Sequence, residues 1–167
     1  HSEHYNGWSP KLGLLWQVDD HSQLYTNLSR SYEPPSLIEF YNTRGTTAAQ
    51  KATTWEVGAR GGEQIHWDAA VFYSRVKNEL LKIPKDDNPS DFMGGNIPRT
   101  VHAGLELQLS GELSAEPFSG TVDWGLSYTL NHFRHKNDDA FNNNRLPVIP
   151  QHFGSVQAMY QHPSGVY

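Results

Sequence analysis

Hydrophobicity alternates with a period of two along seven successive segments of this chain, and the connections between them run short, long, short, long, short, long. The clearest segment sets Val101, Ala103, Leu105, Leu107 and Leu109 against Thr100, His102, Gly104, Glu106, Gln108 and Ser110. A period of two sends successive side chains to opposite faces of a strand, so each segment reads as a strand with one apolar and one polar face. The others run from Trp8 to Val18, Gln23 to Tyr32, Lys51 to Arg60, Ile65 to Ile83, Thr121 to Asn131 and His152 to Gln161. No helical period competes with them. The alternation blurs after Arg75, which predicts a bulge or an extension of that strand beyond the sheet.

The order of the connections constrains the topology further. In an up-and-down antiparallel sheet, alternate connections lie at opposite ends. All the short turns therefore fall on one side, and the long loops Glu33 to Ala49, Pro84 to Pro98 and Lys136 to Pro150 fall on the other. A soluble sandwich has no reason to sort its loops in this way, whereas an outer-membrane barrel has tight periplasmic turns and long extracellular loops. Strands of about ten residues, tilted by about 45°, span roughly 23 Å, close to the ~25 Å apolar band of such barrels. Trp16, Trp67 and Trp124 sit near short turns, while Trp8, Tyr32, Tyr73 and Tyr128 sit nearer the long loops, as two interfacial aromatic belts require. Seven strands are odd in number and too few to close. The expected fold is therefore all-β: an antiparallel up-and-down transmembrane β-barrel, represented by about seven strands that form an open curved sheet. Leu105 then faces lipid and Glu106 the lumen. The competing reading is a soluble β-sandwich module that binds carbohydrate or another ligand.

Composition narrows the chemistry. Charged residues make up only 19% of the chain and the net charge is −5, with no basic patch in the sequence that would suit a nucleic acid. Cysteine is absent, which excludes disulfides and thiolate metal sites. The nine histidines include His132 and His135 around Phe133 and Arg134, but no pair has zinc-site spacing with further ligands. The acidic runs at Asp86-Asp87-Asn88 and Asn137-Asp138-Asp139 lack the ordered ligand spacing of a calcium loop. Glu56, Asp68, Glu106 and Asp123 lie on regular strands facing a lumen, where they suit hydrogen bonds to neighbouring strands or to a plug better than catalysis. Neither an enzyme, a resident metal nor a cofactor is expected.

The blocks W-S-P-K-L-G-L-L-W-Q, L-Y-T-N-L-S-R-S-Y-E-P-P, Q-K-A-T-T-W-E-V-G-A-R-G, W-D-A-A-V-F-Y-S-R-V-K-N-E-L-L, T-V-H-A-G-L-E-L and L-P-V-I-P-Q-H-F-G occur in that order and cover nearly the whole chain. Together they resemble the barrel of TonB-dependent outer-membrane receptors. The resemblance implies a barrel of about 22 strands with a plugged lumen. It also implies energised uptake of a scarce large solute such as a ferric siderophore, haem or cobalamin. On this reading residues 1–167 are a partial barrel domain from the later half of the barrel, without the plug domain and the closing strands. The implied partners are outer-membrane lipid, the protein's own plug, TonB acting through a segment outside this chain, and a ferric siderophore or similar solute; the implied location is the Gram-negative outer membrane. Within the long-loop regions, Phe40, Tyr41, Arg44, Phe92, Arg99, Arg134 and Phe141 combine rings and cations that could hold an anionic, ring-bearing solute.

Overall fold

The structure is a computed structural model that describes residues 5–36, 48–85, 88–115, 119–139, 141–147 and 149–165; between residues 82 and 94 it describes the backbone path alone. Seven strands follow one another in the chain: β1 (Lys11–Asp19), β2 (Ser22–Glu33), β3 (Gln50–Gly61), β4 (Ile65–Lys85), β5 (Asn88–Ala115), β6 (Gly120–His135) and β7 (His152–Gln161). They form one sheet in the order β1-β2-β3-β4-β5-β6-β7, every neighbour antiparallel. The predicted meander is observed, with β7 at its predicted bounds.

Register shows why the alternation is so regular. One apolar row runs Trp55–Tyr73–Ala103, the next Val57–Val71–Leu105–Leu130, the next Ala59–Ala69–Leu107–Tyr128. Directly opposed apolar pairs recur across each strand boundary, and a slip of one residue would turn the whole set to the other face. The opposite face is knitted by polar side chains. The Tyr25 hydroxyl donates to Asp68 Oδ1 at 2.8 Å, Asn27 Nδ2 to Glu56 Oε1 at 3.0 Å, Arg60 Nε to Gln23 Oε1 at 2.9 Å, and Thr54 Oγ1 to Ser74 Oγ at 2.8 Å.

Among the described residues nothing packs on the apolar face. Leu14, Trp16, Trp55, Val71, Leu109 and Val156 are all exposed, and among the described residues only Ala49, Ala70, Val76, Ile97 and Leu146 are buried apolar residues. A β-sandwich needs a second sheet packed about 10 Å away, and the described residues form a single sheet. An apolar face of this extent needs a covering medium, since water contact costs about 25 cal/mol for every Å².

The turns between β1 and β2 and between β3 and β4 are as short as predicted, but one long connection departs from expectation. The region Pro84–Pro98, expected as a loop, is strand: β4 and β5 stay paired up to Pro84 with Phe92 and Lys85 with Asn88. The Pro-, Gly- and Asp-rich sequence hid this arm because it carries no alternation to read. The expected irregularity after Arg75 is Asn78, with φ of 54°, a left-handed conformation that Asn tolerates better than most residues. Ser31 and Tyr32 remain paired with Ala52 and Lys51, so β2 and β3 run up to the edge of the Glu33–Ala49 connection.

Candidate functional site

Polar-face residues at the long-connection ends of β4, β5 and β6 converge on one cluster. Thr100 pairs across the sheet with Val76 and His135, and His102 with Ser74 and Phe133. Strict alternation would put Glu79 on the apolar face with Arg75 and Lys77. The positive φ of Asn78 breaks that alternation, and Glu79 instead reaches the polar face. Its carboxylate lies 3.1 and 3.2 Å from His102 Nε2 and accepts a short hydrogen bond from the Thr100 hydroxyl. Glu79 is 6% exposed and Thr100 1%. A buried carboxylate is tolerated only where partners replace its lost hydration, and here both partners come from β5.

Aromatic rings wall this polar centre. The His102 ring stacks on Phe133 at 4.2 Å between centroids and 7° between planes, and Phe72 meets Phe133 edge-on at 6.2 Å and 78°. The segment after β6 folds back over the same place. Phe141 stacks on His135 at 4.7 Å. The backbone follows, with His135 N donating to Asn144 O at 2.9 Å and Leu146 N to Phe133 O at 3.0 Å. His135 is 4% exposed, and its Nδ1 has no hydrogen-bond partner among the described residues. The arrangement offers flat stacking surfaces, one hydrogen-bonded carboxylate and one unmatched imidazole nitrogen at the mouth of the polar face. Among the described residues no group of three or more His, Cys, Asp or Glu could hold a metal ion.

Of the residues singled out from sequence, Phe141 alone is placed at this cluster. Arg99 and Arg134 lie on strands rather than loops. The register sets Arg99 beside Lys77 and Arg134 beside Val101, in rows of the apolar face. Phe92 lies on β5 opposite Pro84, and its side chain is outside the described set. Phe40, Tyr41 and Arg44 lie outside the described residues. Sequence reading passed over Glu79, Thr100 and His102. Thr100 and His102 sit in a regular polar face, and Glu79 reaches them only through one backbone dihedral. Glu79→Ala should remove the carboxylate shared by Thr100 and His102, leaving the buried Thr100 hydroxyl only its 3.4 Å contact with His102 Nε2, at a cost of about 1–3 kcal/mol, read as a lower denaturant midpoint for the full-length barrel.

A single antiparallel meander with an unpartnered apolar face, a polar face and sorted turns defines a sector of a transmembrane β-barrel. The family model for the TonB-dependent receptor-like β-barrel matches residues 1–167, and the chain belongs to that family. It is 28% identical over 172 residues to the TonB-dependent heme receptor A of Haemophilus influenzae, covering 76% of this chain and 23% of that protein. It is 26% identical over 168 residues to the metal-pseudopaline receptor CntO of Pseudomonas aeruginosa, covering 94% of this chain and 21% of that protein. The chain thus spans less than a quarter of either relative. Among solved structures, the alcaligin outer membrane receptor FauA from Bordetella pertussis superposes with a TM-score of 0.61 at 22% identity, over 96% of this chain and 27% of that one. The FrpB iron transporter from Neisseria meningitidis gives 0.57 at 17% identity, over 93% and 24%. At these identities the two structures speak for the fold.

Proposed function

We propose that this chain is part of the wall and extracellular gate of an outer-membrane receptor that takes up a ferric siderophore by TonB-dependent transport. The family match along the whole chain carries this reading. The apolar face meets lipid, the polar face lines the lumen, and the long-connection end faces outward. The cluster of Phe72, His102, Phe133, His135 and Phe141 stands at the lumen mouth, where stacking surfaces suit an aromatic or planar iron chelate. Phe40, Tyr41, Arg44 and Phe92, singled out from the sequence, are proposed as further contacts to the same solute.

Deeper in the lumen the polar face is acidic, with Glu56, Asp68, Glu106 and Asp123 against Arg60. It includes a depression of about 360 Å³ bordered by Arg60, His66, Asp68 and Gln108. This surface suits the receptor's own plug, docked through charge-assisted hydrogen bonds. Plug, TonB-contacting segment and remaining strands belong to the full receptor.

The test is uptake by the full-length receptor in a receptor-deficient Gram-negative strain. Radioactive iron supplied as ferric siderophores should accumulate, should stop when the proton gradient is collapsed, and should fall about tenfold or more in His102→Ala/Phe133→Ala with receptor abundance unchanged. Growth on haem but on no ferric siderophore would replace the proposed solute with haem.

A further inference from the structure

Glu79 meets Thr100 and His102 through an irregular stretch of β4 whose backbone the neighbouring ladders do not fully satisfy. The β3–β4 ladder stops at Lys51 opposite Lys77, so past that point β3 backbone no longer pairs with β4. On the other side, between the pairs Lys77–Arg99 and Glu79–Ile97, the register sets Pro98 opposite Asn78, and proline has no N–H to donate. Two side-chain amides take over. Asn96 Nδ2 donates to Asn78 O at 2.8 Å, and Gln50 Oε1 accepts from Leu80 N at 2.9 Å. Glu79 thus stands between two backbone groups, each fixed by an amide from a different strand.

Asn96 is fully committed by this arrangement. Besides Asn78 O, its Nδ2 donates to Ala48 O at 2.9 Å, and its Oδ1 accepts from Ala48 N at 2.8 Å. One amide therefore clasps both backbone groups of Ala48, at the exit of the β2–β3 connection, together with the left-handed residue that delivers Glu79. Only an amide offers two donors and an acceptor in this shape. Aspartate at this position would set a carboxylate oxygen against the carbonyl oxygens of Ala48 and Asn78 with almost no change in volume. Gln50 is tied in turn, its Nε2 donating to Glu33 Oε2 at 3.2 Å.

We propose that Asn96, assisted by Gln50, is a positioning residue for solute binding: it holds Asn78 left-handed and so keeps Glu79 on His102, whose ring is thereby set flat against Phe133. The proposal rests on the reading of that stacking surface as the solute site. The contacts are continuous, from Asn96 to Asn78 O, along one residue to the Glu79 carboxylate, from there to His102 Nε2, and across the ring stack. Asn96 acts through Asn78 and Glu79 rather than on the rings themselves. Because Ala48 shares the amide, the exit of the β2–β3 connection is tied to the same geometry. A residue in this role sets how tightly solute is captured and leaves the maximal transport rate of each folded receptor unchanged.

The experiment uses the full-length receptor in its outer membrane, with uptake normalised to receptor abundance. The probes are radioactive iron complexed by dihydroxybenzoylserine, an aromatic catecholate, and haem. Asn96→Asp should raise KM for the ferric catecholate about tenfold, the worth of a hydrogen bond lost at a part-buried group, with the maximal rate per receptor unchanged. Gln50→Leu should raise KM in the same direction. Asn96→Asp/Glu79→Gln should be no worse than Glu79→Gln alone, because both changes break one chain of contacts. A second readout needs no solute: carbethoxylation of His102 by diethyl pyrocarbonate, followed by peptide mass spectrometry with His66 as the internal reference. His102 should react faster in Asn96→Asp and in Glu79→Gln than in wild type, and His66 equally in all. An unchanged KM in Asn96→Asp, or His102 reactivity equal to wild type, overturns this inference alone. A wild type that takes up haem and no ferric catecholate overturns the siderophore reading alone, and the KM comparison is then made with haem. A wild type that takes up neither overturns the stacking site and this inference with it.

Discussion

Leu107→Arg in the full-length receptor should sharply reduce the amount of folded barrel in the outer membrane. Leu107 lies midway along the apolar run of β5, paired with Ala69 on one side and Tyr128 on the other. An arginine at the bilayer midplane of a barrel's lipid face costs roughly 2–4 kcal/mol, falling toward zero near the interfaces. Leu105→Arg should cost less. Leu105 is four residues along β5 from Val101, whose row holds Arg75 and Arg134. An arginine there can extend its guanidinium toward the headgroups. Glu106→Gln, on the lumen face, should be close to neutral for assembly. The measurement is the heat-modifiable fraction of each variant in isolated outer membranes. Equal tolerance of Leu107→Arg and Glu106→Gln would reverse the assignment of the two faces.

Gly104→Val should be the other severe change, for a steric reason. Gly104 lies between Phe72 on β4 and Asn131 on β6. A Cβ at Gly104 would come within 2.6 Å of Phe72 Cε1 and 2.7 Å of the Leu130 carbonyl oxygen. The ring could swing aside, but the carbonyl belongs to the β6 backbone. Valine must therefore spread β5 from β6, and overpacking of this kind costs typically 1–3 kcal/mol. Displacing Phe72 also removes the edge that supports Phe133, and with it the stacking surface of His102. Gly104→Val should thus lower both barrel stability and siderophore accumulation. Gly58→Val should lower stability alone, because its Cβ would enter the ring of Tyr25, which takes no part in that cluster. Partly restored stability in Gly104→Val/Phe72→Ala without restored accumulation would separate the two effects. Wild-type behaviour of Gly104→Val would remove Phe72 as a support of the gate.

The parts of this protein legible in sequence are those set by the pleat of a strand. Val101 to Ser110 announces a two-faced strand because successive Cβ atoms must point opposite ways. Repeating that pattern seven times with sorted connections defines a meander whose apolar face needs a covering. The bounds of β7 and the placement of Leu105 and Glu106 on opposite faces followed from this alone. The family blocks then extended it to a receptor barrel.

Two things were settled only in three dimensions. The first is the β4–β5 arm: its sequence carries no alternation, so its pairing is visible only in the register of Lys85 with Asn88 and Pro84 with Phe92. The second is which residues become neighbours across strands. One left-handed residue, Asn78, moves Glu79 to Thr100 and His102, although strand periodicity points it the other way. Arg30, Arg75 and Arg134 are scattered over a hundred residues of sequence, as are Lys51, Lys77 and Arg99 over about half that distance, yet each trio falls in one row. Periodicity assigns a residue to a face; cross-strand register alone decides who stands beside it, and charge acts between neighbours.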